Sequence, residues 1–350
     1  MERLVPVATT LVAGAMGAVV FAVLGVPAAF LTGGAIGVAV LVVSGVRTAM
    51  PRTLYTPGLA IVGMMMGSAV KPETLSALTA MPLAVAGLVV AVSGATVASY
   101  LVLRKIGGWD RVSAYCGSIP GALQVTLAVA ADAGAQMDKV VLAQGLRLFI
   151  LVALVPLVFG GPGDRTLDSL DPDGGTLADV VISLAIGAAA AALGLRMRFP
   201  SAALVVPLGV SAFLSGAGLL TISIPPLLGA AAFMVMGASV ATRFAGSSRQ
   251  NILSILGVSL CAFVAAAGAS LMAAAVVAHL LAKPLGTVFL AYAPGGVEAM
   301  IALAFLLQFD VAVVAVLHIT RLILLSFAAP FLLTRVTRRA GAPDQSPSAR

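Results

Sequence analysis

Residues 118–126 read Ser-Ile-Pro-Gly-Ala-Leu-Gln-Val-Thr, and residues 292–300 read Tyr-Ala-Pro-Gly-Gly-Val-Glu-Ala-Met. Each stretch lies inside a longer apolar run, 112–131 and 286–307. Proline removes a backbone donor and glycine relaxes the chain, so a helix is expected to break at Pro120-Gly121 and again at Pro294-Gly295-Gly296. In lipid, non-helical backbone survives only where it is buried in protein or lines a wet cavity. A helix that restarts after Pro-Gly aims unpaired N–H groups and a positive dipole end at that cavity. The plainer alternative is a pair of proline kinks packed against their neighbours.

Outward from these two stretches the chain divides into twelve apolar segments: 5–24, 28–45, 54–70, 80–103, 112–131, 140–160, 177–195, 201–219, 224–241, 251–282, 286–307 and 311–334. A polar stretch with Asp164, Asp168, Asp171 and Asp173 separates the sixth from the seventh. The halves repeat each other. Pro120 and Pro294, Arg147 and Arg321, and Gly63 and Gly237 are each 174 positions apart, and Pro27 and Pro200 are 173 apart. A common offset over most of each half points to duplication. The expected organisation is a first membrane repeat at 1–160, an acidic external linker at 161–176, a second repeat at 177–336 and a basic flexible tail at 337–350.

Composition states what solvent this chain needs. It is 61% hydrophobic and 9% charged over 350 residues, with a mean hydropathy of +1.13. Soluble domains carry roughly 25% charged residues, so the solvent here must be lipid. The expected class is an all-α integral membrane protein, multi-pass, and its N-terminal run reads as a first transmembrane helix, not a removed signal. Gly33 to Gly37 and Gly63 to Gly67 have the GxxxG form that lets membrane helices approach closely. The net charge of +7 is spread singly and in pairs between apolar segments and over Arg335, Arg338 and Arg339. That pattern sets topology against membrane lipid and does not build a nucleic-acid face. Cys116 and Cys261 sit in apolar segments and read as small buried hydrophobes.

Eighteen of the 20 Lys and Arg lie outside the apolar segments. If all twelve segments cross from a cytoplasmic N-terminus, 12 cations fall inside and 6 outside; if 112–131 and 286–307 enter and return on their own side, the balance becomes 15 to 3. The positive-inside rule therefore favours five crossings per half, an inverted repeat, and both termini in the cytoplasm of a bacterial inner membrane.

Few residues inside the apolar segments carry chemistry. Glu298, four residues past Pro294, is the acid well inside one, and its counterpart is Gln124. A carboxylate there is costly unless paired, hydrated or protonated, so it reads as a proton- or cation-coupling group, a substrate contact, or an ion-pair partner of an arginine. Arg147 and Arg321 could clamp an anion, neutralise Glu298, or satisfy carbonyls freed by the breaks. Gln144 and His318 lie three residues earlier on the same faces, and His318 reads as a proton shuttle or a packing histidine. His279 reads as interfacial, Asp138 and Asp310 as helix-start residues, and Met64, Met65 and Met66 as core or lipid contact. The sequence has no Walker loop, HExxH, CxxC or nucleotide-binding glycine motif, which argues against ATP-driven transport and leaves no cofactor or metal implied.

Ser118-Ile-Pro-Gly-Ala-Leu with Leu142-Ala-Gln-Gly-Leu-Arg147, and Ala293-Pro-Gly-Gly-Val-Glu-Ala-Met300 with Leu317-His-Ile-Thr-Arg321, resemble the AbrB / ammonia-monooxygenase-like family of bacterial membrane proteins. The resemblance runs over nearly the whole chain to about Arg338. It implies an internal duplication and kinship with cation/proton antiporters and anion transporters, which use inverted repeats and broken helices. The family carries a second glycine and a glutamate after Pro-Gly in both halves; here the first half has Ala122 and Gln124, while the second keeps Gly296 and Glu298. The family also carries two labels, gene regulator and ammonia monooxygenase. A copper oxygenase needs clustered imidazoles, and this chain has two histidines, 39 positions apart. A DNA-binding regulator needs a soluble basic module. The expectation is therefore a secondary transporter, proton- or ion-coupled, for a small anionic or zwitterionic solute by alternating access. The alternative is a membrane-embedded regulator acting indirectly as a sensor. The partners expected are a small-molecule or ion substrate and a second copy of the chain in a homodimer.

Overall fold

The computed structural model describes residues 4–70, 81–121, 126–127, 130–131, 133–161, 175–197 and 201–340. Gln124, Ala122, Pro200 and most of the 161–176 linker lie outside the described residues. The described chain is all-helical. Its helices are α1 (Leu4–Val23), α2 (Ala29–Val43), α3 (Arg52–Ser68), α4 (Met81–Lys105), α5 (Arg111–Ser118), α6 (Met137–Phe159), α7 (Leu177–Met197), α8 (Ala202–Gly216), α9 (Pro226–Thr242), α10 (Arg249–Leu281), α11 (Leu285–Tyr292), α12 (Val297–Leu306) and α13 (Val311–Ala340). Six of them, α1, α4, α6, α7, α10 and α13, are long and apolar enough to cross a membrane. The longest, α10, has 33 residues. The last, α13, continues past Val336 to Ala340, so the stretch expected to be a flexible tail begins as helix.

Contacts sort the helices into two groups. In one, α1 packs on α2, α2 on α9, α3 on α8 and α9, and α7 on α3 and α8. In the other, α4 and α10 pair along their length, α5 packs on α4 and α6, α10 on α6 and α11, and α13 on α4, α5, α11 and α12. The groups meet where α2, α3 and α9 face α6 and α12.

Close backbone approach runs through the first group, alongside a buried core that includes Leu31, Met66, Leu204 and Phe233. Gly33 and Gly37 lie directly against the backbone of α1 at Gly17 and Ala13, and Gly63 and Gly67 against the backbone of α8 at Leu204 and Leu208. No side chain fits in those gaps, which is how membrane helices gain dispersion contact without a hydrophobic drive. Met64, Met65 and Met66 are all buried in the core. The outer face is apolar instead: Val23, Leu227 and Phe327 are each more than three-quarters exposed.

Cys116 is buried as the sequence suggested, but Cys261 is exposed. An apolar segment gives no reason to bury every member of a helix whose outer face meets lipid, and Cys261 falls on the outer face of α10. His279, in the last turn of α10, is exposed as expected of an interfacial residue.

Candidate functional site

Both Pro-Gly stretches end a short helix. The helix α11 stops at Tyr292, residues 293–296 are non-helical, and α12 begins at Val297. The helix α5 stops at Ser118 and the chain leaves it through Ile119, Pro120 and Gly121, all buried. Gly121 has φ +81°, in the left-handed region where an L side chain is strained.

The two ends of each segment lie together. The ring of Phe309, just past α12, packs directly on Gly286 at the start of α11, and α11 and α12 touch each other. At the other segment, the Gln136 backbone N–H donates to Ser113 Oγ (2.8 Å) and its side-chain amide donates to Asp110 (3.1 Å). A continuous crossing would hold those ends roughly 30 Å apart.

Two arginines hold the turns. Arg147 on α6 donates to the carbonyls of Ser118 (3.4 Å) and Ile119 (2.8 Å). Arg321 on α13 donates to the carbonyls of Ala293 (2.6 Å) and Gly295 (2.5 Å). These carbonyls lost their helical partners at the break, and each guanidinium fork supplies donors there; the Ala293 carbonyl also accepts from the Gly295 N–H (2.7 Å). Arg321 also reaches the other turn: a Cβ at Gly121 would lie 3.0 Å from its Nη2. Arg147 is near enough to act on Arg321 electrostatically.

One helical turn earlier the same logic repeats with different chemistry. Gln144 Nε2 donates to the Cys116 carbonyl and His318 Nε2 lies on the Leu290 carbonyl, each at 2.8 Å. A carbonyl can only accept, so the Nε2 of His318 carries the proton, and its fully buried Nδ1 has no partner among the described residues. The buried hydroxyl of Thr126, beyond the first turn, also has no partner among the described residues. Tyr292 anchors α11 by donating to the Ala84 carbonyl of α4 (2.6 Å).

Glu298 is in the first turn of α12, where the helix dipole favours an acid. It is half-buried on a helix that meets α3 and α9 at the boundary between the two helix groups. There the Tyr55 hydroxyl of α3 donates a short hydrogen bond to Glu298 Oε2. Ser239 of α9 lies near the same hydroxyl, and Arg243, the residue capping α9, acts on it electrostatically. Tyr55, Ser239 and Arg243 were not candidates from the sequence. Tyr55, one of 4 tyrosines in the chain, starts an apolar segment and was the available hint; Arg243 looked like an ordinary cytoplasmic cation.

Asp310 caps α13, accepting from the Val313 N–H (3.1 Å), and Asp138 sits in the first turn of α6. An apolar cavity of about 280 Å³ lies between α3 and α7, lined by Pro57, Ala60, Met64, Ser183 and Gly187 among others, away from the turns.

Comparison with known proteins places this chain. The family model described as "Transition state regulatory protein AbrB" matches residues 30–337. A protein of Escherichia coli (strain K12) named "Putative regulator AbrB" is 23% identical over 323 residues, covering 90% of this chain and 92% of that protein. No solved structure matches.

Proposed function

Because this chain belongs to the AbrB family across residues 30–337, we propose that the family's architecture here serves transport: a secondary, proton- or ion-coupled transporter of a small anionic or zwitterionic solute in the bacterial cytoplasmic membrane. The observation that carries this reading is the position of Glu298. It stands at the tip of a hairpin whose turn is clamped by Arg321, and it is bonded across the boundary between two helix groups to Tyr55. A carboxylate held between two packed bodies is a group whose charge state can change how those bodies fit.

Two inverted repeats are part of this reading. Supporting them, α5 and α11 span Arg111–Ser118 and Leu285–Tyr292, and α3 and α9 span Arg52–Ser68 and Pro226–Thr242, each offset by 174. Gln144 and His318 each reach a carbonyl 28 positions earlier. With both Pro-Gly segments returning to their own side, each half has five crossings, an odd number, and the second half is upside down. The same count gives the 15-to-3 cation balance, with the linker outside and both termini inside. Alternating access then moves the α4–α6 and α10–α13 group, with both Pro-Gly turns, against the α1–α3 and α7–α9 group. The regulatory name of the relative fits as an indirect effect of moving an effector.

The test is proton-coupled uptake of small organic anions and cations into proteoliposomes by wild type and Glu298→Gln. Flux present in wild type with its pH dependence lost in the variant is expected. No flux for any solute, with cooperative unfolding intact, would turn the reading towards a sensor.

A further inference from the structure

Arg147 and Arg321 are the cations the sequence offered for an anionic substrate, yet both forks are bonded to turn carbonyls. Arg243 is different. It is half-buried at the end of α9, a helix that packs on both α3 and α12, and it acts electrostatically on the Tyr55 hydroxyl that donates to Glu298; among the described residues its guanidinium makes no hydrogen bond or ion pair. A partly buried guanidinium without a partner, next to a carboxylate that is occupied by a neutral donor, is an anion site with an internal competitor.

We propose that Arg243 is the ligand for the substrate's carboxylate, and that ionised Glu298 is its rival, so that protonation of Glu298 admits a monocarboxylate. This deepens the transporter reading and rests on it for movement, while the binding site can be tested alone. With Glu298 ionised, its charge and that of Arg243 balance, and a second anion meets repulsion. With Glu298 protonated, Arg243 is left uncompensated in a half-dry boundary, where a single opposite charge is strongly favoured. The Tyr55 hydroxyl is then free to turn to the incoming carboxylate. One proton and one monoanion enter together, and the loaded site carries the same net charge as the empty one. A dianion would leave one charge unbalanced, so monocarboxylates are preferred.

The other charged or titratable groups on elements packed against α12 leave this logic intact. Tyr292 of α11, Arg147 of α6, and His318 and Arg321 of α13 are bonded to carbonyls. Arg52 of α3 is exposed, Asp310 caps α13, and Asp138 and Lys139 lie at the far start of α6.

The experiment is thermal unfolding of the purified full chain in detergent with sodium acetate, lactate or oxalate, against sodium chloride at equal ionic strength, at about pH 5 and about pH 8. Wild type should be stabilised by acetate or lactate at the lower pH, with affinity at least about tenfold weaker at the higher, and should respond less to oxalate, which is mostly a dianion at both. Arg243→Gln should lose the response at both pH values, Arg243→Lys should retain part of it, and Glu298→Gln should respond equally at both. Wild-type-like responses in Arg243→Gln, stronger binding at the higher pH, or no response to any of the three anions would each overturn the proposal. Uptake of the same acetate or lactate into proteoliposomes separates the two readings. PH-dependent binding without flux removes the transporter and leaves the anion site; flux undiminished in Arg243→Gln keeps the transporter and removes Arg243.

Discussion

Arg321 bonds the carbonyls of Ala293 and Gly295 while its guanidinium packs on Gly121, so one side chain touches both Pro-Gly turns. The residue is 1% exposed, and among the described residues its guanidinium bonds backbone oxygens and no acid. The first prediction follows from that geometry. Arg321→Met keeps the length, leaves the Gly295 carbonyl without its donor and leaves the Ala293 carbonyl with the Gly295 N–H alone, at a cost of about 1–3 kcal/mol. It should appear as a large drop in the unfolding midpoint in detergent, and Arg321→Lys should recover only part because an ammonium cannot fork. A Met variant that melts with wild type would remove the clamp from the argument.

Gly121→Ala tests the other side of the same contact. A left-handed φ costs an L residue about 1–2 kcal/mol, and the new methyl would press on the Arg321 guanidinium. The variant should be destabilised, whereas alanine at Gly257, which has open space around it, should change stability little.

His318 and Gln144 do the same job on their respective carbonyls. His318→Gln should therefore fold with nearly wild-type stability, and His318→Leu should lose about 1–3 kcal/mol by stranding the Leu290 carbonyl. Transport by His318→Gln equal to wild type would also discard the proton-shuttle reading; loss of coupling in a stable His318→Gln would restore it.

Tyr55→Phe removes the donor to Glu298 without removing the ring. A hydrogen bond to a carboxylate is worth about 1.5–3 kcal/mol, so the Phe variant should unfold at a lower temperature in detergent and its uptake should fall by about tenfold or more. Wild-type uptake by a folded Phe variant would separate Tyr55 from coupling.

Asp110 carries a prediction outside the membrane. Partial burial works against its ionisation, but hydrogen bonds from Ser113 and Val112 outweigh it and hold its carboxyl below the ordinary carboxylate range, as it caps α5 through the Ser113 N–H at 2.8 Å. A depressed folded pKa contributes stability above the unfolded value that is lost as pH falls. Asp110→Ala should cost about 1 kcal/mol at neutral pH, and the difference from wild type should shrink as pH drops below about 4.

Much of this could be read from residues in line. Segments 5–24, 140–160 and 177–195 became helices Leu4–Val23, Met137–Phe159 and Leu177–Met197, because a lipid solvent leaves an apolar run few alternatives to helix. The helix ends at Ser118 and Tyr292 were legible because Pro-Gly acts on its own backbone. What Arg147 and Arg321 bond was left among three alternatives, since choosing needed the position of carbonyls 26 to 29 residues away. Tyr55 and Arg243 were missed for a related reason. They come from helices 243 and 55 positions from Glu298, and nothing local marks a residue that matters only once two helix groups meet. Exposure on the lipid side, as for Cys261, was equally invisible, because an apolar residue is at home on either face of such a helix.

The length of α10 has a consequence of its own. Thirty-three residues make a rod of about 50 Å, against a hydrocarbon layer about 30 Å thick. A helix so much longer than its medium, and apolar from 251 to 282, fits a bilayer by leaning over, and α4, paired along it, must lean with it.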